Sequence, residues 1–291
     1  MTAPWQPLPA RTDWLKGIRS GTTTYYWAVA AAMGCSTIRW WIRLAGFGLV
    51  RGGSWRFLYF AGWSVLLVVG SVLSIPAMLG VLGITRRIPS AGGLGADHGL
   101  RSIARWMAVL TACGELAYAA ITVAMYVGNP RGPDAMALMI AYWARNISDA
   151  VATISLFLFV RMLASRFEGH GAARRADIVA RAYGGLFLLD VAYRAVDSYS
   201  ESTALSQPDI RMAASSVLFL LGLVIVIYSL RVIKFWARNL GNAAADRCLA
   251  CGYIITGLTD GVCPECGTVI DMPPLAMPVG TGALASQPER S

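Results

Sequence analysis

Apolar residues gather along this chain into six long runs, and short polar stretches between them hold most of the charge. The runs cover 25–41, 57–84, 106–127, 137–160, 182–202 and 212–233. A helix needs roughly 17–25 such residues to cross a bilayer core, so each run reads as a transmembrane helix. The first is the shortest. It opens on Tyr25, Tyr26 and Trp27 and closes on Trp40 and Trp41, with Arg39 and Arg43 beside them. Aromatic rings at both ends suit the two membrane interfaces, and the arginines can snorkel outward. The second run contains Pro76 and stops at Arg86 and Arg87; proline inside a helix predicts a kink. The third ends in the turn Asn129-Pro130-Arg131-Gly132-Pro133-Asp134. The fifth is less apolar, carrying Asp190, Arg194 and Asp197, and the sixth is uninterrupted up to Ile233. Around them, residues 1–24 predict a loose polar start with a short interfacial turn near Trp14. Residues 234–246 read as a linker, and 272–291 as a disordered tail too poor in apolar area to offset its ordering entropy.

Composition agrees with this pattern. The chain is 56% hydrophobic and 14% charged, against about 25% charged in an ordinary soluble domain. The expected fold class is an all-α polytopic membrane protein, a six-helix bundle, with five helices if residues 25–41 do not cross. The net charge of +9 falls unevenly. With six crossings, Arg86, Arg87, Arg101 and Arg105 share a side with Arg161, Arg166, Arg174, Arg175 and Arg181, and with both chain ends. The opposite loops hold Arg51, Arg56, Arg131 and Arg211. The positive-inside rule then places both termini in the cytoplasm, at a bacterial inner membrane. Five crossings would put Arg11, Lys16 and Arg19 outside, which disfavours them. A third reading takes Ala32-Met33-Gly34-Cys35 as a lipoprotein cleavage box, although Ala32 and Met33 match the usual residues poorly.

Beyond the last run stand Cys248-Leu-Ala-Cys251 and Cys263-Pro-Glu-Cys266. Each C-x-x-C turn can offer two thiolates to one metal ion, and two turns complete a closed tetrahedral shell. Gly252 and Gly267 follow the pairs, where a residue without a Cβ can take positive φ. Thiolates that hold a metal belong in a reducing compartment, which agrees with the cytoplasmic side chosen from charge. Cys35 and Cys113 lie in apolar runs and read as packing residues.

The cysteine stretch resembles the short zinc ribbon of planctomycete bacterial proteins. It shares Cys248, Cys251, Gly252 and Tyr253, then Gly257 and Leu258, then Cys263, Pro264, Cys266 and Gly267. It departs at Ile254, where that pattern has Asp. The resemblance spans about twenty residues within 247–271 and implies a small β-hairpin holding zinc. It implies no activity. Each knuckle also resembles rubredoxin, an iron protein, but rubredoxin sets its knuckles further apart, which favours zinc.

Several ionisable residues fall inside the runs: Glu115, Arg145, Asp149, Asp190 and Arg194. At 1.5 Å per residue the three carboxylates lie near mid-membrane, with both arginines about one turn further out. Each charge costs about 2.5–3.5 kcal/mol facing lipid at that depth. Runs three, four and five are therefore expected to face one another around a polar cluster. Arg145 and Asp149, like Asp190 and Arg194, are four residues apart and share a helix face.

No catalytic motif accompanies these features. The glycine-rich stretch Ser90–Gly99 lacks a phosphate-loop pattern, and His98 and His170 lie in basic loops. An enzyme is therefore disfavoured. A Cys₄ zinc site is itself anionic and lacks a basic stripe, which argues against nucleic acid. The first expectation is a membrane scaffold or adaptor whose ribbon meets a cytoplasmic protein. The alternative is a transporter of protons, ions or small solutes working through the mid-membrane cluster. A cavity reaching the carboxylates would favour the alternative, and a closed bundle the first.

Overall fold

The computed structural model describes residues 8–49, 53–86, 95–127, 135–167, 170–199, 208–243, 247–248, 251, 253–255, 258 and 261–267. Among them the chain forms α1 (Leu8–Leu49), α2 (Gly53–Val72), α3 (Ser74–Ile84), α4 (Gly95–Val127), α5 (Ala135–Phe167), α6 (His170–Tyr199) and α7 (Pro208–Ala243). Beyond the helices, Arg247 and Ile254 form an antiparallel bridge.

Helices α2 and α3 together form one rod, broken where the chain chemistry requires it. Pro76 has no N–H to give the carbonyl of Val72, and its ring crowds that carbonyl. The helix yields at Leu73 and resumes at Ser74, whose hydroxyl donates to the Ser71 carbonyl at 2.5 Å. The rod ends at Thr85, whose N–H and hydroxyl both donate to the Val81 carbonyl, at 2.9 and 2.7 Å.

Four stretches are long and apolar enough to cross a membrane: Ala61–Ile84, Gly99–Ala124, Leu138–Phe167 and Met212–Leu240. These overlap the second, third, fourth and sixth predicted spans. Outward-facing Val65, Leu79, Trp106, Ile140 and Val224 are each more than half exposed. An apolar surface of this extent suits lipid rather than water. Helices α1 and α6 are long but not among the four. In α1 the charge-free stretch 20–38 is diluted by threonines, glycines and aromatic residues, and in α6 Asp177, Arg181, Asp190 and Arg194 do the same.

The polar start is not loose. Helix α1 begins at Leu8 and buries Trp14 and Ile18. It lies against α3 through Gly17, Gly21, Gly80 and Gly83. A Cβ at Gly21 would stand 2.7 Å from the Ile84 nitrogen, and one at Gly80 would stand 2.6 Å from the Tyr25 nitrogen. The two backbones touch because nothing projects between them. Trp14 closes this end, donating from Nε1 to the Arg86 carbonyl at 3.4 Å with its ring 6.4 Å from Phe167.

The predicted linker is helical as far as Ala243, and α7 buries Ile233, Trp236 and Leu240. Those residues join Trp14, Ile84, Phe167 and Ala176 in one core. The beginning of α1 and the end of α7 therefore meet at the same end of the bundle. Asp177 ties α5 to α6 there, accepting from Arg161 at 2.5 Å and from Arg181 at 2.7 Å. The predicted tail, 272–291, lies outside the described residues.

Candidate functional site

Cys248, Cys251, Cys263 and Cys266 come together, with all four sulfurs within 4.8 Å of one another. The Cys248–Cys266 and Cys251–Cys263 sulfur pairs stand 3.7 and 3.5 Å apart. Bonds of about 2.3 Å to a tetrahedral ion put sulfurs about 3.8 Å apart. The cluster therefore fits a tetrathiolate metal centre. The backbone holds it in shape: Cys248 N–H donates to the Tyr253 carbonyl at 2.8 Å and Gly267 N–H to the Cys263 carbonyl at 2.9 Å. Gly267 takes φ +68°, as its place after the second pair predicts; Gly252 lies outside the described residues. Burial pushes the Cys251 thiol up to about 12, and the neighbouring thiols add to that. A bound dication would instead hold the sulfurs as thiolates.

The five ionisable residues of the predicted cluster fall into three linked groups. Glu115 on α4 pairs with Arg145 on α5, Oε1 to Nε at 2.6 Å, and accepts from the Ser71 hydroxyl of α2 at 3.4 Å. Gly114 makes room for this, since a Cβ there would stand 3.2 Å from the Arg145 Cα. Asp149, one turn further along α5, accepts from the Tyr183 hydroxyl of α6 at 3.1 Å. Asp190 and Arg194 pair within α6 at 2.9 Å. Tyrosines bridge the first group to the third. The Arg145 guanidinium lies 5.3 Å from the centre of the Tyr118 ring, Tyr118 meets Tyr142 edge-on at 6.0 Å, and Arg194 lies 4.5 Å over Tyr142. Here α4 packs on α5 and α5 on α6, so run four stands between runs three and five instead of all three facing one another, and Arg145 takes Glu115 as its ion-pair partner instead of its helix neighbour Asp149. Among the described residues no cation stands within ion-pair distance of Asp149.

Sequence reading missed the tyrosines. The signal was present as helical spacing: Tyr118 follows Glu115 by three residues, Tyr142 precedes Arg145 by three, and Tyr183 precedes Asp190 by seven.

Both Glu115 and Asp149 stand in the wall of a cavity of about 310 Å³. All seven helices contribute to it, among them Tyr25 and Met33 of α1, Gly70 of α2, Met78 of α3, Thr111 of α4, Thr153 of α5, Tyr183 of α6 and Phe219 of α7. Most of the lining is apolar. Phe219 also lines a second pocket of about 320 Å³, which holds Arg43, Asp190 and Arg194. The Phe219 ring stacks on Trp40 at 5.3 Å, nearly parallel at 8°. The arrangement is thus a central chamber and a charged vestibule with one aromatic residue common to both. With Glu115 paired to Arg145, Asp149 is the carboxyl of the chamber without a cationic partner, and it would bring one negative charge there when ionised. That charge has a hydroxyl donor beside it and space in front of it.

No known protein family matches the chain, and no curated protein or solved structure matches it either.

Proposed function

We propose that this chain is a six-crossing bacterial inner-membrane protein that binds a small cation in its central chamber and moves it across the bilayer. The observation that carries the reading is the chamber itself: Asp149 faces it with a tyrosine hydroxyl and no cation as partner. A carboxylate at that depth costs several kcal/mol unless a proton or cation accompanies it. A monovalent cation, whether a proton or a small alkylammonium, supplies the missing charge. The vestibule beyond Phe219, with Asp190 exposed to it, supplies a route of approach.

Six crossings are supported by α1 and α6 themselves. Trp27, Ile38 and Trp41 of α1, and Leu188, Leu189 and Val196 of α6, face outward and are exposed, as a lipid boundary requires. An even number of crossings also accords with the beginning of α1 and the end of α7 meeting at one end of the bundle, on the cytoplasmic side by charge. Lipoprotein cleavage before Cys35 would discard Trp14, Gly17 and Gly21, which pack α1 on α3. Zinc is the metal proposed for the four cysteines, within a small ribbon on the cytoplasmic side.

The test is uptake of radiolabelled propylammonium into proteoliposomes driven by an inside-negative potential. The expected result is saturable uptake that Asp149→Asn abolishes, together with retained fold by circular dichroism. Uptake equal to that of protein-free vesicles, with no proton flux in the same vesicles, would overturn the reading. A second reading, the adaptor, has its own observation. Tyr253, Ile254 and Val262 are exposed beside the cysteine cluster, a surface suited to a cytoplasmic protein.

A further inference from the structure

A third pocket, at the boundary between α1 and α7, has a chemistry unlike that of the chamber. On α1, Arg19, Thr22 and Tyr26 recur at helical spacing on one face; on α7, Lys234 and Arg238 do the same. The two faces enclose about 400 Å³, and none of the residues lining it is acidic. The Lys234 ammonium lies 5.1 Å from the centre of the Tyr26 ring. None of the three cations forms an ion pair with a described residue. Lys234 and Arg238 also stand four apart on one helix, a spacing at which like charges destabilise. The fold therefore brings three exposed positive charges to the wall of one pocket.

One polar atom in the same wall is also unpaired. Thr22 is 5% exposed, and its hydroxyl oxygen is buried with no hydrogen-bond partner. Three cations and a free hydroxyl around one space describe a receptor for an oxyanion. Its position limits the source. Lys234 ends the apolar run of α7, and Trp27 stands in the pocket wall 67% exposed. Aromatic side chains and basic residues at such a level meet lipid headgroups.

We infer that Arg19, Lys234 and Arg238, with the Thr22 hydroxyl, bind a phosphate group at the membrane interface. The group is carried either by an anionic phospholipid headgroup or by free phosphate. Guanidinium groups pair with phosphate oxygens bidentately and the ammonium adds a point charge. A bound phosphate would bridge α1 to α7 and steady the end of the bundle where the Trp14–Trp236 core lies.

The experiment is native mass spectrometry of the full chain in mild detergent, exposed in parallel to phosphatidylglycerol, phosphatidylcholine and inorganic phosphate, with melting followed alongside. Wild type is expected to retain phosphatidylglycerol in preference to phosphatidylcholine. At about fivefold per removed charge, Arg19→Gln with Arg238→Gln lowers retention about twenty-five-fold, whereas Arg105→Gln changes nothing. Thr22→Val removes the unpaired hydroxyl without changing shape. It is expected to raise the lipid-free melting temperature and to shrink the increment that lipid adds, a split that simple misfolding does not produce. If inorganic phosphate alone gives the stabilisation and the double variant loses it, the source is free phosphate. If only phosphatidylglycerol does, the source is lipid. Equal retention of both lipids together with no stabilisation by inorganic phosphate, or a double variant that behaves as wild type in every arm, overturns the inference.

Discussion

Glu115 and Asp190 each form a close ion pair but are not equivalent, and burial separates them. The Glu115 and Arg145 side chains are 19% and 22% exposed, and each is the other's counter-charge. Glu115→Gln leaves a guanidinium enclosed without a partner, which costs about 2–3 kcal/mol. Asp190 and Arg194 are 29% and 42% exposed, and Asp190→Asn costs less than about 1 kcal/mol. Melting of the purified variants, followed by tryptophan fluorescence, is expected to show this order; equal losses would contradict it. The charges themselves were legible in the sequence because an ionisable residue inside an apolar run has no bland explanation in lipid. Their partners were not. A helix face gives Arg145 an equal chance of meeting Asp149 or a neighbouring helix, and only the close approach at Gly114 decides for Glu115.

Elements were legible where chemistry interrupts them. Pro76 breaks the second rod within three residues of the proline, because a missing N–H and a ring clash act locally. The apolar runs of α4, α5 and α7 announced themselves by length. What stayed hidden was α1's first half, since Arg11, Lys16 and Arg19 make the sequence there look like a solvated segment, whereas the helix buries Trp14 and Ile18. The glycines of that half were likewise silent. Spacing alone does not tell a contact glycine from an idle one, but the structure does. Gly21→Ala forces a Cβ to 2.7 Å from backbone, and overpacking of this kind costs about 1–3 kcal/mol or more. Gly34 has nothing within 4 Å, so Gly34→Ala gains helix propensity, about 0.5–1 kcal/mol. Detergent melting curves should move in opposite directions for these two variants. A shift of the same sign in both would mean that α1 does not lie on α3.

At the scale of the whole molecule, the helical bundle and a cysteine cluster able to hold a metal ion are joined through α7. Metal analysis of the purified protein is expected to give one zinc per chain. Cys263→Ser should lose it, while the melting transition of the helices stays in place, because the described cysteine residues pack in a cluster of their own apart from the main core. Iron in place of zinc, or two metals per chain, would revise the centre. Fluorescent-protein fusions at either end should both glow, as cytoplasmic ends do, and alkaline phosphatase fused at either end should be inactive; an active phosphatase at the amino end alone would remove one crossing. The ligand set of this centre was readable from spacing because a closed metal shell needs few residues close in sequence. The chamber was not readable, because its wall draws on all seven helices and no local pattern encodes an empty volume. The most direct test of the account is equilibrium binding of propylammonium and its neutral isostere propanol to the detergent-purified chain. The account predicts saturable binding of the ammonium alone, weakened about a hundredfold by Asp149→Asn and retained in Asp190→Asn. Equal binding of both compounds, or an Asp149→Asn chain that binds the ammonium like wild type, would contradict it.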